Sequence, residues 1–171
     1  MSGNIFVVLL ISFSLIFGLT LWYFQNYAYY EKNSLNNMTM TLSNSGNEEP
    51  VKFNNIQSIN SQTSPLKFRS CFKLKSSSSN SLEKYLPYEK ATPLRAPRWF
   101  KCFNVEKITN DLKLGLAKSY LSRENIEFGI DRVIAVYPDG LAFSWHQIND
   151  CGLASFAGDA LPKNCTKKES E

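Results

Sequence analysis

Residues 132–148 read RVIAVYPDGLAFSWHQI, two apolar runs that meet at Tyr137-Pro138-Asp139-Gly140. The first run, Val133 to Tyr137, is apolar on both faces, as a strand in the middle of a sheet is. Pro138 presets φ at the first corner of the turn, and Gly140 accepts the left-handed conformation that closes it. The return run places Leu141, Phe143 and Trp145 on one face and Ala142, Ser144 and His146 on the other. A β-hairpin is the only economical reading, and it makes the fold a sheet protein.

Working outward, Leu66 to Leu74 offers the hairpin a neighbour. Leu66, Phe68, Phe72 and Leu74 alternate with Lys67, Arg69, Lys73 and Lys75, and Cys71 lies on the polar phase. That predicts a strand with one face on the core and one in water. From Leu82 to Phe103 the rings and prolines (Tyr85, Pro87, Tyr88, Pro93, Pro97, Trp99, Phe100, Phe103) exclude a long helix and predict an extended crossing pinned by aromatics. Asn104 then reads as an N-cap. Val105, Ile108, Leu112, Leu116 and Tyr120 recur at helical spacing, with Glu106 in the first turn and Lys118 in the last. The fold class is therefore α+β: a small antiparallel sheet of the Leu66 strand and the Arg132 hairpin, with the Asn104 helix covering one face. Ser76 to Ser81 reads as a surface loop and Val51 to Asn60 as a weak apolar segment. Met38, Met40 and Leu42, alternating with Thr39, Thr41 and Ser43, predict an edge strand before a turn-rich break at 44–50.

The N-terminus has a different character. No Asp, Glu, Lys or Arg precedes Glu31, and the twenty residues from Ile5 to Phe24 are interrupted only by Ser12, Ser14, Gly18 and Thr20. At about 1.5 Å per residue they match the roughly 30 Å hydrocarbon layer of a bilayer. Trp22, Tyr23, Tyr27, Tyr29 and Tyr30 collect at the exit, where amphipathic rings favour the interface. A cleaved signal is the alternative, but it would have a basic start and a shorter apolar region. The segments are thus an N-terminal tail at 1–4, an anchor at 5–24 and a tether with an edge strand at 25–50. An extracytoplasmic α+β domain follows at 51–157, and then a tail at 158–171 tied back by Cys165.

All four cysteines, Cys71, Cys102, Cys151 and Cys165, lie beyond the anchor with no C-x-x-C pair, which reads as a disulfide framework in an oxidising compartment. The expected topology is single-pass in the inner (plasma) membrane, N-terminus cytoplasmic and C-terminal domain periplasmic. Of three connectivities, Cys71 with Cys102 and Cys151 with Cys165 is preferred. The first bridge fastens the proline-rich crossing to the sheet. The second docks a tail with little apolar surface of its own.

Of the formal charge of +4, residues 67–118 carry +8 and the rest −4. This reads as a solvated basic face, or as a docking surface for anionic headgroups or an acidic protein. Nucleic acid is not an expected partner. His146 is the only histidine. Strand phase sets it opposite Trp145, exposed or in a shallow groove; a structural role is the simpler reading, and His146 and Trp145 are the candidate ligand contacts. Glu124, Glu127 and Asp131 form a loose, solvated cluster. Asn37-Met38-Thr39 and Asn164-Cys165-Thr166 fit the glycosylation triplet. No nucleotide-binding, nucleophile-elbow or zinc-protease motif occurs, so neither a catalytic site nor a cofactor nor a metal is expected.

The stretches SPLKFRSCF (64–72), PLRAPRWFKCF (93–103) and ENIEFGIDRVIAVYPDGLAFSWHQINDCG (124–152) resemble an uncharacterised family of single-span alphaproteobacterial membrane proteins, a domain of unknown function. Some relatives carry a sensor-kinase label. About 147 residues beyond the anchor leave no room for a separate ATP-binding domain, and glycine-rich phosphate loops are missing. The expected function is a non-catalytic accessory module that stabilises or assembles an inner-membrane complex, with the bilayer as one partner and a membrane protein as the other. The alternatives are an extracytoplasmic sensor or ligand-binding module and, third, a small enzyme.

Overall fold

The structure is a computed structural model that describes residues 3–33, 40–44, 47–75, 82–163 and 165. The chain divides into two compact units, 1–30 and 31–171. In the first, helix α1 (Gly3–Tyr23) runs into a wider π-turn, Phe24–Ala28. Nothing within the unit buries its side chains. Twenty-one residues at about 1.5 Å each span a hydrocarbon layer of roughly 30 Å, so α1 is long and apolar enough to be a bilayer anchor. Two polar side chains bond back along the helix and the turn: Thr20 Oγ1 donates to the Ile16 carbonyl at 2.8 Å and Asn26 Nδ2 to the Trp22 carbonyl at 2.9 Å.

The second unit is built on an antiparallel sheet in the order β1-β4-β5-β8-β7-β6, comprising β1 (Glu31–Asn33), β4 (Phe53–Asn60), β5 (Arg69–Leu74), β6 (Lys118–Glu127), β7 (Ile130–Val136) and β8 (Leu141–Ile148). The hairpin expected at 132–148 is its centre. Tyr137 O accepts from Gly140 N at 2.9 Å, and Gly140 has φ +84°, the left-handed value the turn demands. The Leu66 strand lies beside it as β5, with Arg69 opposite Trp145 and Phe72 opposite Ala142.

Two more strands, β2 (Met40–Asn44) and β3 (Asn47–Val51), form a separate hairpin. Met40 and Leu42 are fully buried in one core with Val51, Phe72, Ile134 and Tyr120. Ser122 Oγ donates to the Thr41 carbonyl at 2.6 Å, tying this hairpin to β6. The strands β1, β2 and β3 belong to the second unit, and Met40, Leu42 and Val51 of this hairpin supply part of its core. Met38, Thr39 and the segment 76–81 lie outside the described residues, as do Asn37 and Asn164.

The other face of the sheet was expected in water, and it too is covered. Phe103 packs edge-on against Phe143 and Trp145, with ring centroids 5.9 and 6.4 Å apart. Arg69, on the supposed polar phase, is only 3% exposed because its guanidinium donates to the carbonyls of Leu66, Phe68, Leu94 and Arg95. Four carbonyl partners make burial of that charge tolerable. The cover is the extended crossing, fastened by the Cys71–Cys102 disulfide (Cα–Cα 6.2 Å), together with helix α2 (Val105–Lys113), which buries Ile108 and is N-capped by Asn104 as expected.

Helix α2 is shorter than its periodicity suggests. Gly115, at φ +72°, ends it in the pairing that closes many helices, with Gly115 N donating to Leu112 O and Leu116 N to Asp111 O. Tyr120 consequently faces the core from β6, and Lys118 opens that strand. The expected single basic face is also divided: Lys84, Lys90 and Lys107 pair with Glu49, Asp150 and Asp111, and Arg69 is buried. A third helix, α3 (Asp150–Ala157), follows β8. Beyond it, Cys165 is bonded to Cys151, Cα–Cα 5.6 Å, so the second pairing is also present.

Candidate functional site

An open groove of about 640 Å³ lies between the crossing at Pro87–Leu94 and the start of α3. At its floor is Asp131, which β7 places directly across from Gln147 of β8. Asp131 is 5% exposed and every oxygen is engaged. Oδ1 accepts from Asn125 N at 3.0 Å and Asn149 Nδ2 at 2.8 Å, and Oδ2 accepts from the Tyr88 hydroxyl at 3.0 Å. Burial, reinforced by the Asp131 charge, pushes the Tyr88 phenol well above its ordinary range, so it remains a donor. Gln147 mirrors this arrangement: Oε1 accepts from Trp145 Nε1 and Thr92 N, and Nε2 donates to the Lys90 carbonyl.

These bonds lock three pieces of chain onto the sheet: the crossing through Tyr88 and Thr92, the β6–β7 turn through Asn125, and α3 through Asn149. Asn149 does so with both ends of its amide, since Oδ1 caps α3 by accepting from Gly152 N at 3.0 Å. Gly129 and Gly152 meet where the turn touches the helix. A Cβ on Gly152 would lie 2.3 Å from Gly129 O, so only glycine permits the approach. The helix held in this way is bare on one side, with Leu153 57% and Phe156 68% exposed. Leu153 also lines the groove.

His146 is elsewhere. As strand phase requires, it faces away from Trp145, but it is buried, at 4% exposure, because Phe68 from the turn before β5 stacks on it at 4.5 Å. Nε2 accepts from Arg132 Nε at 2.9 Å, which leaves Nδ1 as the donor to the Pro65 carbonyl at 2.7 Å. Burial, with Arg132 adding like-charge repulsion, lowers its pKa to about 3, consistent with a neutral ring. Burial likewise brings Arg132 down to about 10. Trp145 is fully buried. Neither candidate ligand contact from the sequence lines the groove.

Of the carboxylate cluster, Glu124 and Glu127 are exposed, Glu124 at the rim of the groove, while Asp131 has left the solvent. Its position was readable: Asp131 shares the period-two phase of Val133, on the Trp145 face. Tyr88, Gln147 and Asn149 carried no comparable signal. Within the groove's lining, Asp131 accepts from Tyr88 and Lys90 pairs with Asp150. Among the described residues, no three His, Cys, Asp or Glu side chains gather to hold a metal. Neither a curated protein nor a solved structure matches the chain. Residues 38–166, which contain the hairpin, the groove and both disulfides, match the Family of unknown function (DUF6446), and the chain belongs to that family.

Proposed function

We propose that this protein is a non-catalytic accessory module, held by α1 in the inner membrane with its C-terminal domain on the periplasmic side, that docks a membrane-protein partner through α3. The observation that carries this reading is a helix fixed three ways yet left uncovered. A disulfide, the Asn149 network and the glycine contact immobilise α3, while Leu153 and Phe156 stay bare. Rigid, exposed apolar anchors beside a polar rim are what a protein interface uses, because little entropy remains to be lost on binding. The disulfides support the orientation, since they persist outside reducing compartments.

A second reading is a small-ligand module. The groove's volume falls in the range of about 300–1,000 Å³ that ligand sites occupy. One experiment separates the two. The double variant Leu153→Ser/Phe156→Ser should keep its insertion and melting temperature, since both side chains are exposed, but lose the larger complex that the wild type is expected to give on cross-linking in native membranes. A variant that retains that complex overturns the docking reading, and a C-terminal alkaline phosphatase fusion that is inactive overturns the orientation.

A further inference from the structure

We infer that the β1 edge of the domain is a docking face for the anionic headgroups of the bilayer that α1 enters. This goes beyond the partner reading and does not depend on it.

Two cations and a ring meet at that edge, and a third cation precedes the ring in the chain. Lys32 of β1 holds its ammonium 5.4 Å above the Trp99 ring. Lys32, Gln57, Trp99, Phe100 and Lys101 border a shallow hollow of about 350 Å³. Arg98 and Lys101, both exposed, flank the half-buried Trp99. Neither they nor Lys32 take part in an ion pair among the described residues. This distinguishes them from Lys84, Lys90 and Lys107. The chain from Lys90 to Val105 contains no Asp or Glu, and the nearby Glu31 accepts from Gln62 at 3.0 Å.

The occupant follows from chain connectivity and charge. Only Tyr29 and Tyr30 separate the turn ending at Ala28 from β1. Three Cα steps of about 3.8 Å span at most about 11 Å, so the link from Ala28 to Glu31 is short. At a lipid surface, unpaired Lys and Arg are drawn to anionic headgroups, and a ring with an apolar body and a polar edge favours the interfacial layer. The hollow between the cations suits a phosphate, which Lys and Arg bind with charge-assisted hydrogen bonds. The fold also separates this face from α3. β1 is one edge of the sheet, whereas α3 packs on the turn between β6, the opposite edge, and β7. Headgroup contact at β1 therefore leaves Leu153 and Phe156 free.

The test is a lysine acetylation footprint of the full chain in nanodiscs of phosphatidylcholine alone or mixed with phosphatidylglycerol. Adding phosphatidylglycerol should lower modification of Lys32 and Lys101 several-fold, and high salt should restore it, because the contact is electrostatic. Lys118 on β6 and Lys163 beyond α3 should react equally in both. The Arg98→Ser variant should lose part of the protection at Lys32. Equal modification of Lys32 and Lys101 in the two bilayers overturns the inference, as does equal loss at Lys118 and Lys163. Protection present equally in phosphatidylcholine alone overturns it too, by showing contact without headgroup charge.

Discussion

Gly152→Ala is the smallest change that should dislodge α3. Its new methyl would lie 2.3 Å from Gly129 O and 2.8 Å from Ile148 Cγ2, about 1 Å inside van der Waals contact with the oxygen. Gly129 cannot yield easily, since it stands at φ +80° and its carbonyl accepts from Asn149 N at 2.9 Å. The helix must retreat instead. Overpacking of this kind costs about 1–3 kcal/mol, and weakening the Asn149 bond adds about 1 kcal/mol. The higher helix propensity of alanine returns up to about 1 kcal/mol. The net loss of about 1–3 kcal/mol should lower the melting temperature by roughly 3–10 °C for a unit of this size. Differential scanning fluorimetry of the full chain in detergent under oxidising conditions would measure it. Gly158→Ala is the control: φ is +76° there, but no atom lies within 4 Å of the added methyl, so only the left-handed backbone costs, about 1 kcal/mol. If Gly152→Ala melts at or above wild type, the close approach of α3 to the β6–β7 turn is wrong.

Two other outcomes are expected. His146 is the sole histidine and its folded pKa is about 3, below the value of about 6.5 for an unfolded chain; the unfolded state therefore binds the proton first as pH falls. Stability should be full above pH 6.5 and drop by up to about 1.4 kcal/mol per unit below it, read as melting temperature against pH between about 6.5 and 5, above the range where carboxylates titrate. His146→Gln should cost about 1–3 kcal/mol at neutral pH by disturbing the Arg132 and Pro65 bonds and should abolish that slope; a wild-type profile flat across the window would sink the assignment. The double variant Cys151→Ser/Cys165→Ser opens a link across 14 positions and should lose about 3 kcal/mol in the chain-entropy account. Limited proteolysis should then cut first near 158–163, and unchanged cleavage would show that the bridge holds nothing.

The sequence revealed what depended on neighbours in the chain and concealed what depended on neighbours in space. The 132–148 hairpin was legible because its period, its turn residues and its return strand are contiguous. The Asn104 cap was legible for the same reason, and the cysteine pairings followed from which segments needed fastening. Strand parity correctly placed His146 opposite Trp145, but parity says nothing of what covers a face; Phe68, 78 positions earlier, decides that the ring is buried. Asp131 was misread for the same reason, since its partners Tyr88, Asn125 and Asn149 come from three separate segments. β3 was missed because its residues Asn47, Glu48, Glu49 and Pro50 are those of a turn. A two-stranded ribbon whose outer strand faces water has no need of a second apolar stripe. The start of β6, Lys118 to Tyr120, was taken for helix because Leu112, Leu116 and Tyr120 keep helical spacing across a glycine. Gly115 was the available signal.

The two disulfides make both surfaces proposed for contact sensitive to the redox state of their surroundings. The sheet is held by its own ladders and by the core around Phe72 and Ile134, but Trp99 and Lys101 of the first proposed surface and the whole of the second lie on chain outside it. Cys102 sits between Lys101 and Phe103. The bridge to Cys71 on β5 thus fastens a stretch that turns Phe100 and Phe103 inward and Trp99 and Lys101 toward the β1 hollow. Cys165 closes the chain back onto the first turn of α3, the helix that bears Leu153 and Phe156. Reduction would leave most of the sheet's hydrogen bonds intact while freeing one end of each segment. The two surfaces proposed for contact would then loosen together, although they lie at opposite sides of the sheet, because each is held in part by a bond that persists in an oxidising compartment.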